Sequence, residues 1–324
     1  MNKTEIVKEE IRRYKHLPVR SIARQILLLH GPLFDNDYEK IRKVVRYHMG
    51  LNGELNRQSA ADKSLFRTEP VKMPDTWRKI RTPHKLDPGT WLVLSDLHIP
   101  FHEPKPIEAA IKYAQDNCAI TGILINGDLM DCASISFWPT AHRDMAREIE
   151  ATIDFIDFLR HELPNVPIVY KPGNHEYRLP RYFIQFAPHL AETPWASMEI
   201  VLDFESRNVE FLDYYQIVMA GKLPIIHGHE VPNILTAVNP ARGLFLRTKT
   251  YSACSHCHST SEHNPRNLND ELLTTWSFGA LCDLHPDYRP YGSDHNWGFA
   301  IINIEKNGQF TVSNRRVLGN GRIA

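Results

Sequence analysis

No run of about 18 apolar residues occurs in the sequence, so no membrane-spanning helix is expected. The N-terminal stretch MNKTEIVKEEIRRYK has neither an apolar core nor a small-residue cleavage site, which excludes a secretory signal and makes the cytoplasm the expected location. Cysteine is scarce: Cys118, Cys132, Cys254, Cys257 and Cys282 are the five present. An odd, scattered set in a reducing compartment does not build a disulfide framework, so free thiols are expected. Internal repeats and low-complexity tracts are absent as well. Net charge is formally zero, yet residues 1–90 hold 19 Lys and Arg against 11 Asp and Glu, about +8, which leaves about −8 for the remainder. The two parts of the chain are electrostatically different objects.

What is present is an ordinary globular composition, 42% hydrophobic and 23% charged over 324 residues, enough for one large domain or two. Residues 1–50 read as helices. LPVRSIARQILLLHG has apolar residues at helical spacing and stops at Gly31-Pro32, and Asn36-x-x-Glu39 has the form of a capping box ahead of YEKIRKVVRYHMG, which closes at Gly50. In that last segment Ile41, Val44, Val45 and Met49 share one face, and Arg42, Lys43 and Arg46 the other. Two helices with a basic face are compatible with a helix-turn-helix that meets nucleic acid, and equally with the solvated face of a small bundle. Residues 51–88, with Pro70, Pro74, Pro83 and Pro88, read as a linker pinned by Trp77.

From Trp91 onward short apolar runs (WLVLS, TGILIN, VPIVYKPG, KLPII) alternate with the helical segments PIEAAIKYAQDN and AREIEATIDFIDFLRHEL. That alternation predicts a mostly parallel sheet covered by helices. TTWSFGAL and GFAIINIEKNGQFTVSNRRVL add further strands, with Asn307-Gly308 as a type I′ hairpin signal. Together they suggest a layered αββα sandwich over residues 89–324.

Chemistry-bearing residues appear where the strands end: Asp96-Leu-His98, Gly127-Asp128-Leu-Met-Asp131, Gly173-Asn174-His175-Glu176, His227-Gly-His229 and His256-x-His258. A single Asp or His at a strand end is usually a capped turn, but five groups in succession supply a mixed carboxylate, carboxamide and imidazole set. Such donors suit two divalent transition ions, Mn, Fe, Ni or Zn, better than Mg or Ca. The segment ACSHCHST also fits a c-type haem attachment site and half of a zinc knuckle through Cys254 and Cys257. Haem attachment usually needs export, and a zinc knuckle lacks a second ligand pair beyond Cys282.

D-x-H, G-D-x-x-D, G-N-H-E, H-G-H and a final H-x-H, in this order over roughly residues 90–315, resemble the calcineurin-like metallophosphoesterase superfamily. SDLHIP, GNHEYR and WSFGALCDLHPDY are similar to members encoded by phages and prophages. The resemblance implies a four-layer αββα sandwich behind a small N-terminal all-α domain, and a dinuclear hydrolase, most simply manganese-loaded. It assigns Asp96, His98 and His258 to one ion, Asn174, His227 and His256 to the other, and Asp128 to both. By the same resemblance His175 stays off the metals as general acid or transition-state stabiliser, and a metal-bridging hydroxide attacks phosphorus in line. His256 and His258 are then ligands, with the Cys257 side chain directed away. The family usually has glycine where Ser255 stands, so the turn there is expected to differ slightly. Within HGH, His227 is the expected ligand because it directly follows its strand, and His229 the supporting group. Arg178 and Arg181 are candidates to hold substrate phosphate, or else surface arginines. His102, Asp131 and Glu176 are expected to support the site or lie at the surface.

The expected activity is hydrolysis of phosphodiesters of nucleic acid or nucleotides, with the basic N-terminal domain as a nucleic-acid contact and neither membrane nor haem involved. A phosphomonoesterase whose N-terminal helices bind protein is the second reading. A DNA-binding regulator with an inactive phosphoesterase domain is the third, against which the complete donor set argues.

Overall fold

The computed structural model describes residues 2–50, 73–137, 144–232, 238–286, 291 and 293–324. The chain forms two compact units, Met1–Lys79 and Ile80–Ala324.

In the first unit, helices α1 (Lys3–Arg13), α2 (Val19–His30) and α3 (Tyr38–Met49) place Val7, Ile11, Ile22, Ala23, Ile26, Ile41 and Val45 in one core with Phe34. Those positions recur every three or four residues, the spacing that gives each helix one apolar stripe. The cap of α3 differs from the expected box. Asp37 is the capping residue, accepting from the Lys40 amide at 3.0 Å, while Asn36 adopts a left-handed conformation and ends the turn before it. On the basic face Arg42 is engaged by Glu39 at 2.8 Å, whereas Lys43 and Arg46 are exposed.

The second unit begins with β1 (His84–Lys85), β2 (Gly89–Leu94), α4 (Pro104–Asn117), β3 (Gly122–Asn126), α5 (Met145–Glu162) and β4 (Ile168–Lys171). It continues with α6 (Arg178–Phe186), the one-turn α7 (Met198–Val201), β5 (Val209–Phe211), β6 (Val218–Ala220), β7 (Leu223–Ile225) and α8 (Pro240–Thr248). The remaining strands are β8 (Ser252–Cys254), β9 (Ser261–His263), β10 (Thr275–Ser277), β11 (Trp297–Ile304) and β12 (Phe310–Val317). One sheet has the order β12-β11-β2-β3-β4-β5, in which β2 to β5 are parallel; the other runs β1-β6-β7-β8-β10-β9.

Side-chain alternation along β2 shows how the layers form. Trp91 and Val93 point into the core between the sheets, against Val218, Ile225 and Phe278, while Leu92 and Leu94 point to the helical side, against Ile107 and Ile111 of α4. The second sheet is covered on its outer side by α8, where Leu244 packs on Ile226, Cys254 and Cys257. These are the four layers of an αββα sandwich.

The folded unit starts earlier than the boundary expected at residue 89. His84 and Lys85 pair with Val218 and Met219, and Leu86 is buried between the sheets, because an edge strand and one large apolar side chain are enough to bind the segment to the sandwich. Residues 51–72 of the expected linker lie outside the described residues, and Trp77, expected as a pin, is fully exposed. The hairpin β11–β12 forms as expected but with a different turn. Gly308 alone is left-handed (φ 82°), its amide bonds to Glu305 O at 2.9 Å, and Glu305 N bonds to Gln309 O at 2.8 Å, which is a type I turn closed by a bulge rather than type I′.

Leu94 is fully buried between β2 and the helical layer. Leu94→Ala is expected to cost about 2–5 kcal/mol of stability, read as a lower denaturation midpoint in urea.

Candidate metal centre

Each donor block leaves the C-terminal end of a parallel strand. Asp96 and His98 follow β2, Asp128 follows β3 and Asn174 follows β4 in one sheet, while His227 follows β7 and His256 and His258 follow β8 in the other. Backbone bonds stitch these loops together: His98 N donates to Asp128 O at 2.9 Å, and Ser255 N to His227 O at 2.7 Å. The loops turn so sharply that Asp96 (φ 51°), His98 (50°), Asp128 (51°), His256 (65°) and His258 (53°) are all left-handed. That conformation costs a non-glycine residue about 1–3 kcal/mol, and its clustering on one set of polar residues marks a functional site. Close approach also demands glycine: a Cβ on Gly127 would stand 2.2 Å from His227 Nδ1, and one on Gly173 2.2 Å from Asp128 Oδ1.

The side chains converge on Asp128. Its Oδ2 lies 3.1 Å from His227 Nε2 and 3.8 Å from both His98 Nε2 and His175 Nε2. Asp96 Oδ1 is 3.2 Å from His258 Nε2, and His98 Nε2 is 3.2 Å from the same atom. Three groups of possible ligand atoms among the described residues each fall within 4.8 Å: Asp128 with His227 and His256, Asp128 with His98 and His175, and His98 with His258 and Cys282; Asp128 is common to the first two. A buried atom is left over: Asn174 Oδ1 has no hydrogen-bond partner among the described residues. Two buried carboxylates, facing imidazoles and an unsatisfied carboxamide oxygen, are donors that a pair of divalent cations would complete.

Residues 90–288 match the calcineurin-like phosphoesterase family. The chain belongs to it. It is also 28% identical over 229 residues to the Gene 54 protein of Mycobacterium phage L5, covering 66% of this chain and 88% of that one. The Gene 54 protein of Mycobacterium phage D29 is 27% identical over 230 residues, with 67% and 89% covered.

The electrostatics of this phosphoesterase follow from burial. Burial alone would lower the imidazole pKa values, but the carboxylates outweigh it: Asp128 and Asp96 hold His227 up at about 10, and Asp131, Asp128 and Asp96 hold His98 up at about 9. For His258, Cys282 and Asp96 overcome burial and raise it to about 9. The carboxyls move the opposite way, with Asp96 lowered and Asp128 well below the usual range despite burial. His256 and His229 are both pushed down to about 4, first by burial and next, for His256, by the charge on His227.

Ring nitrogens are oriented from outside. His227 Nδ1 donates to Asn126 O at 2.8 Å, and His98 Nδ1 pairs with Asp131 Oδ1 at 2.8 Å, so each directs Nε2 inward. Asn126 Nδ2 donates to Ser255 Oγ at 2.8 Å, which gives the serine at the usual glycine position a partner. His175 has its Nδ1 engaged by Asp131 O at 2.9 Å and its Nε2 by Arg178 Nη2 at 3.1 Å. His229 lies beside His227 (ring centroids 5.4 Å apart) with Nδ1 3.5 Å from Glu230. Arg178 faces the site, whereas Arg181 is exposed on α6 and makes no ion pair among the described residues. Cys254 and Cys257 point into the apolar layer beneath α8, away from the histidines.

Four further residues support the site: Glu176, already a candidate from the sequence, and Glu230, Lys171 and Cys282, which are less evident from it. Glu176 is fully buried and accepts from the amides of Asp128 (3.1 Å), Met130 (3.1 Å) and Gly173 (2.8 Å), so it ties the second and third donor loops together. Glu230 accepts from the amides of His227 (3.3 Å) and Gly228 (2.7 Å) and pairs at 2.5 Å with the buried Lys171. Cys282 Sγ lies 3.9 Å from His258 Nδ1. The signals for these four are a glutamate directly after a histidine block, twice, a lysine ending an apolar strand, and a cysteine in the last apolar run.

Asp128→Ala is expected to lower bound metal, measured by elemental analysis after dialysis, whereas His175→Ala keeps it; equal loss in both would make His175 a ligand. Because Asp128 and Asp96 raise His227 to about 10 despite burial, and ligation needs neutral imidazole, metal affinity is expected to rise with pH. Calorimetric titration of Mn at pH 7.5 in buffers of different ionisation enthalpy is expected to show proton release.

Proposed function

We propose that this phosphoesterase hydrolyses phosphodiesters of nucleic acid or nucleotides with two divalent cations held by Asp96, His98, Asp128, Asn174, His227, His256 and His258. The observation that supports it is that His175, 3.8 Å from Asp128, has its ring held between Asp131 and Arg178. Its Nδ1 lies 2.9 Å from both the backbone oxygen and the carboxylate of Asp131, which fixes the orientation of the ring. The alkoxide leaving a diester needs a proton, which the imidazole supplies from Nε2 once Arg178, which donates to Nε2 here, has turned to the substrate. Arg178, 2.8 Å from Asp131 O and at His175 Nε2, is placed to meet phosphoryl oxygen as that proton departs. When bound, the cations polarise the phosphoryl group and acidify water. Oxygen and imidazole donors suit manganese, with iron, nickel or zinc as alternatives.

The test is turnover of bis-p-nitrophenyl phosphate, p-nitrophenyl phosphate and single- and double-stranded DNA by the manganese-loaded protein. Diester turnover is expected to exceed monoester turnover, and His175→Ala to reduce the rate on DNA by about 10²–10⁴-fold while affecting the p-nitrophenyl diester, whose leaving group needs no proton, much less. Faster hydrolysis of the monoester would replace this reading with a phosphomonoesterase.

The N-terminal unit is proposed to contact nucleic acid through Lys43 and Arg46, the exposed members of its basic face. Lys43→Ala with Arg46→Ala is expected to reduce the slope of log K against log salt by about 1.8 on duplex DNA, since each lost phosphate contact removes about 0.9. An unchanged slope in a gel-shift series would remove this unit from the nucleic-acid interface.

A further inference from the structure

Beside the candidate metal centre a row of rings leads outward to solvent. His227 lies 5.4 Å from His229, His229 lies 5.3 Å from Tyr215, and the Arg81 guanidinium stands over the Tyr215 ring at 5.6 Å. Tyr177, next after the third donor block, meets the same ring at 5.7 Å with a 64° tilt. Tyr215 is 38% exposed, so part of the ring remains open. Arg81 is anchored by its Nε donating to Tyr214 O at 3.1 Å; among the described residues its Nη atoms make no hydrogen bond.

The backbone gives a second, independent observation. Asp213 to Gln216 form a tight turn, closed by Gln216 N donating to Asp213 O at 3.1 Å, and Tyr215 occupies its third position with φ 65°. Glycine or asparagine normally fills such a position, and a tyrosine there is strained. A strained bulky ring that is also exposed is poorly explained by packing, because burial does not repay the strain.

We infer that Tyr215 and Arg81 form a nucleobase subsite: the base attached to the scissile phosphodiester stacks on Tyr215, and Arg81 binds that base's face or the next phosphate of the strand. The inference rests on the diesterase reading above and names the substrate group that reading leaves open. Two ring-steps separate Tyr215 from His227, which suits a base held away from its phosphate by a sugar. An aryl ring joined to phosphorus through a single oxygen would fall short of the shelf. A tyrosine face accepts any base, and an adjacent arginine adds cation–π attraction and favours an anionic strand.

The experiment uses the full-length manganese-loaded protein and two diesters with the same leaving group, thymidine 5′-(p-nitrophenyl phosphate) and methyl p-nitrophenyl phosphate. The wild type is expected to show a KM about tenfold or more lower for the thymidine ester, the scale of one stacked base. Tyr215→Gly, which relieves the left-handed strain and so keeps the fold, is expected to bring the ratio of the two KM values close to one. Tyr215→Phe is expected to retain the preference, and Arg81→Met to weaken it in part. The inference is overturned if the wild type does not prefer the thymidine ester, or if Tyr215→Gly changes both KM values by the same factor. It is also overturned if phosphotyrosine, a monoester, is the substrate whose KM depends on Tyr215. Should the wild type cleave neither diester, the diesterase reading fails by itself, and calorimetric binding of the dinucleotide pTpT decides the subsite. A tenfold weaker affinity in Tyr215→Gly supports it, and an unchanged affinity sinks it.

Discussion

Everything in the second unit is arranged around one carboxylate that water hardly reaches. Asp128 is 1% exposed at the meeting point of the two sheets, and its ion pairs are with imidazoles: His227, His98 and His175. A carboxylate buried alone would be neutralised by a proton, since desolvation strongly disfavours the charge. Here the surrounding imidazolium charge in the metal-free protein overcomes that penalty, and divalent cations would do so more strongly. The left-handed backbones, the glycines at 127 and 173 and the inter-loop hydrogen bonds are all consequences of packing donors from five loops against one oxygen pair.

The loops hold that geometry because further carboxylates bind them from behind. Glu176 gathers three amides, Glu230 gathers two and is balanced by Lys171, and Asp131 orients His98 and His175. Burial would raise the Glu230 carboxyl, but Lys171 outweighs it and holds it down at about 2. A buried ion pair contributes little net stability against a well-packed apolar pair, because both partners lose their water. Its use here is positional: Glu230 fixes the amides of the very residues, His227 and Gly228, that pass closest to the centre.

The family and the candidate site residues were legible because ligand chemistry restricts residue type and strand ends restrict position. The side chains of Asp96, His98, Asp128, His227, His256 and His258 lie together, and Cys257, expected to point away from them, packs in an apolar layer. Less was legible where the outcome hangs on partners distant in sequence. Trp77 looked like an anchor and is exposed, while the short His84–Lys85 stretch, with little strand character, belongs to a sheet because Val218 and Met219 offer it an edge. Arg178 and Arg181 were indistinguishable as letters, and only the turn of α6 places the first at His175 and the second in solvent.

Periodicity and residue chemistry therefore determined the layers, the order of the donor blocks and the separation of a basic helical unit from an acidic catalytic one, since each is a property of a short stretch of chain. Tertiary structure decided which atom each donor presents and what stands beside it. The inward turn of the His227 and His98 rings depends on Asn126 and Asp131, about 100 and 33 residues away in the chain. The Tyr215 shelf depends on Arg81, 134 positions earlier, and on a strained turn that no propensity favours. Such arrangements cannot be read locally, because the energy that sustains them comes from contacts that exist only after the two sheets have closed on each other.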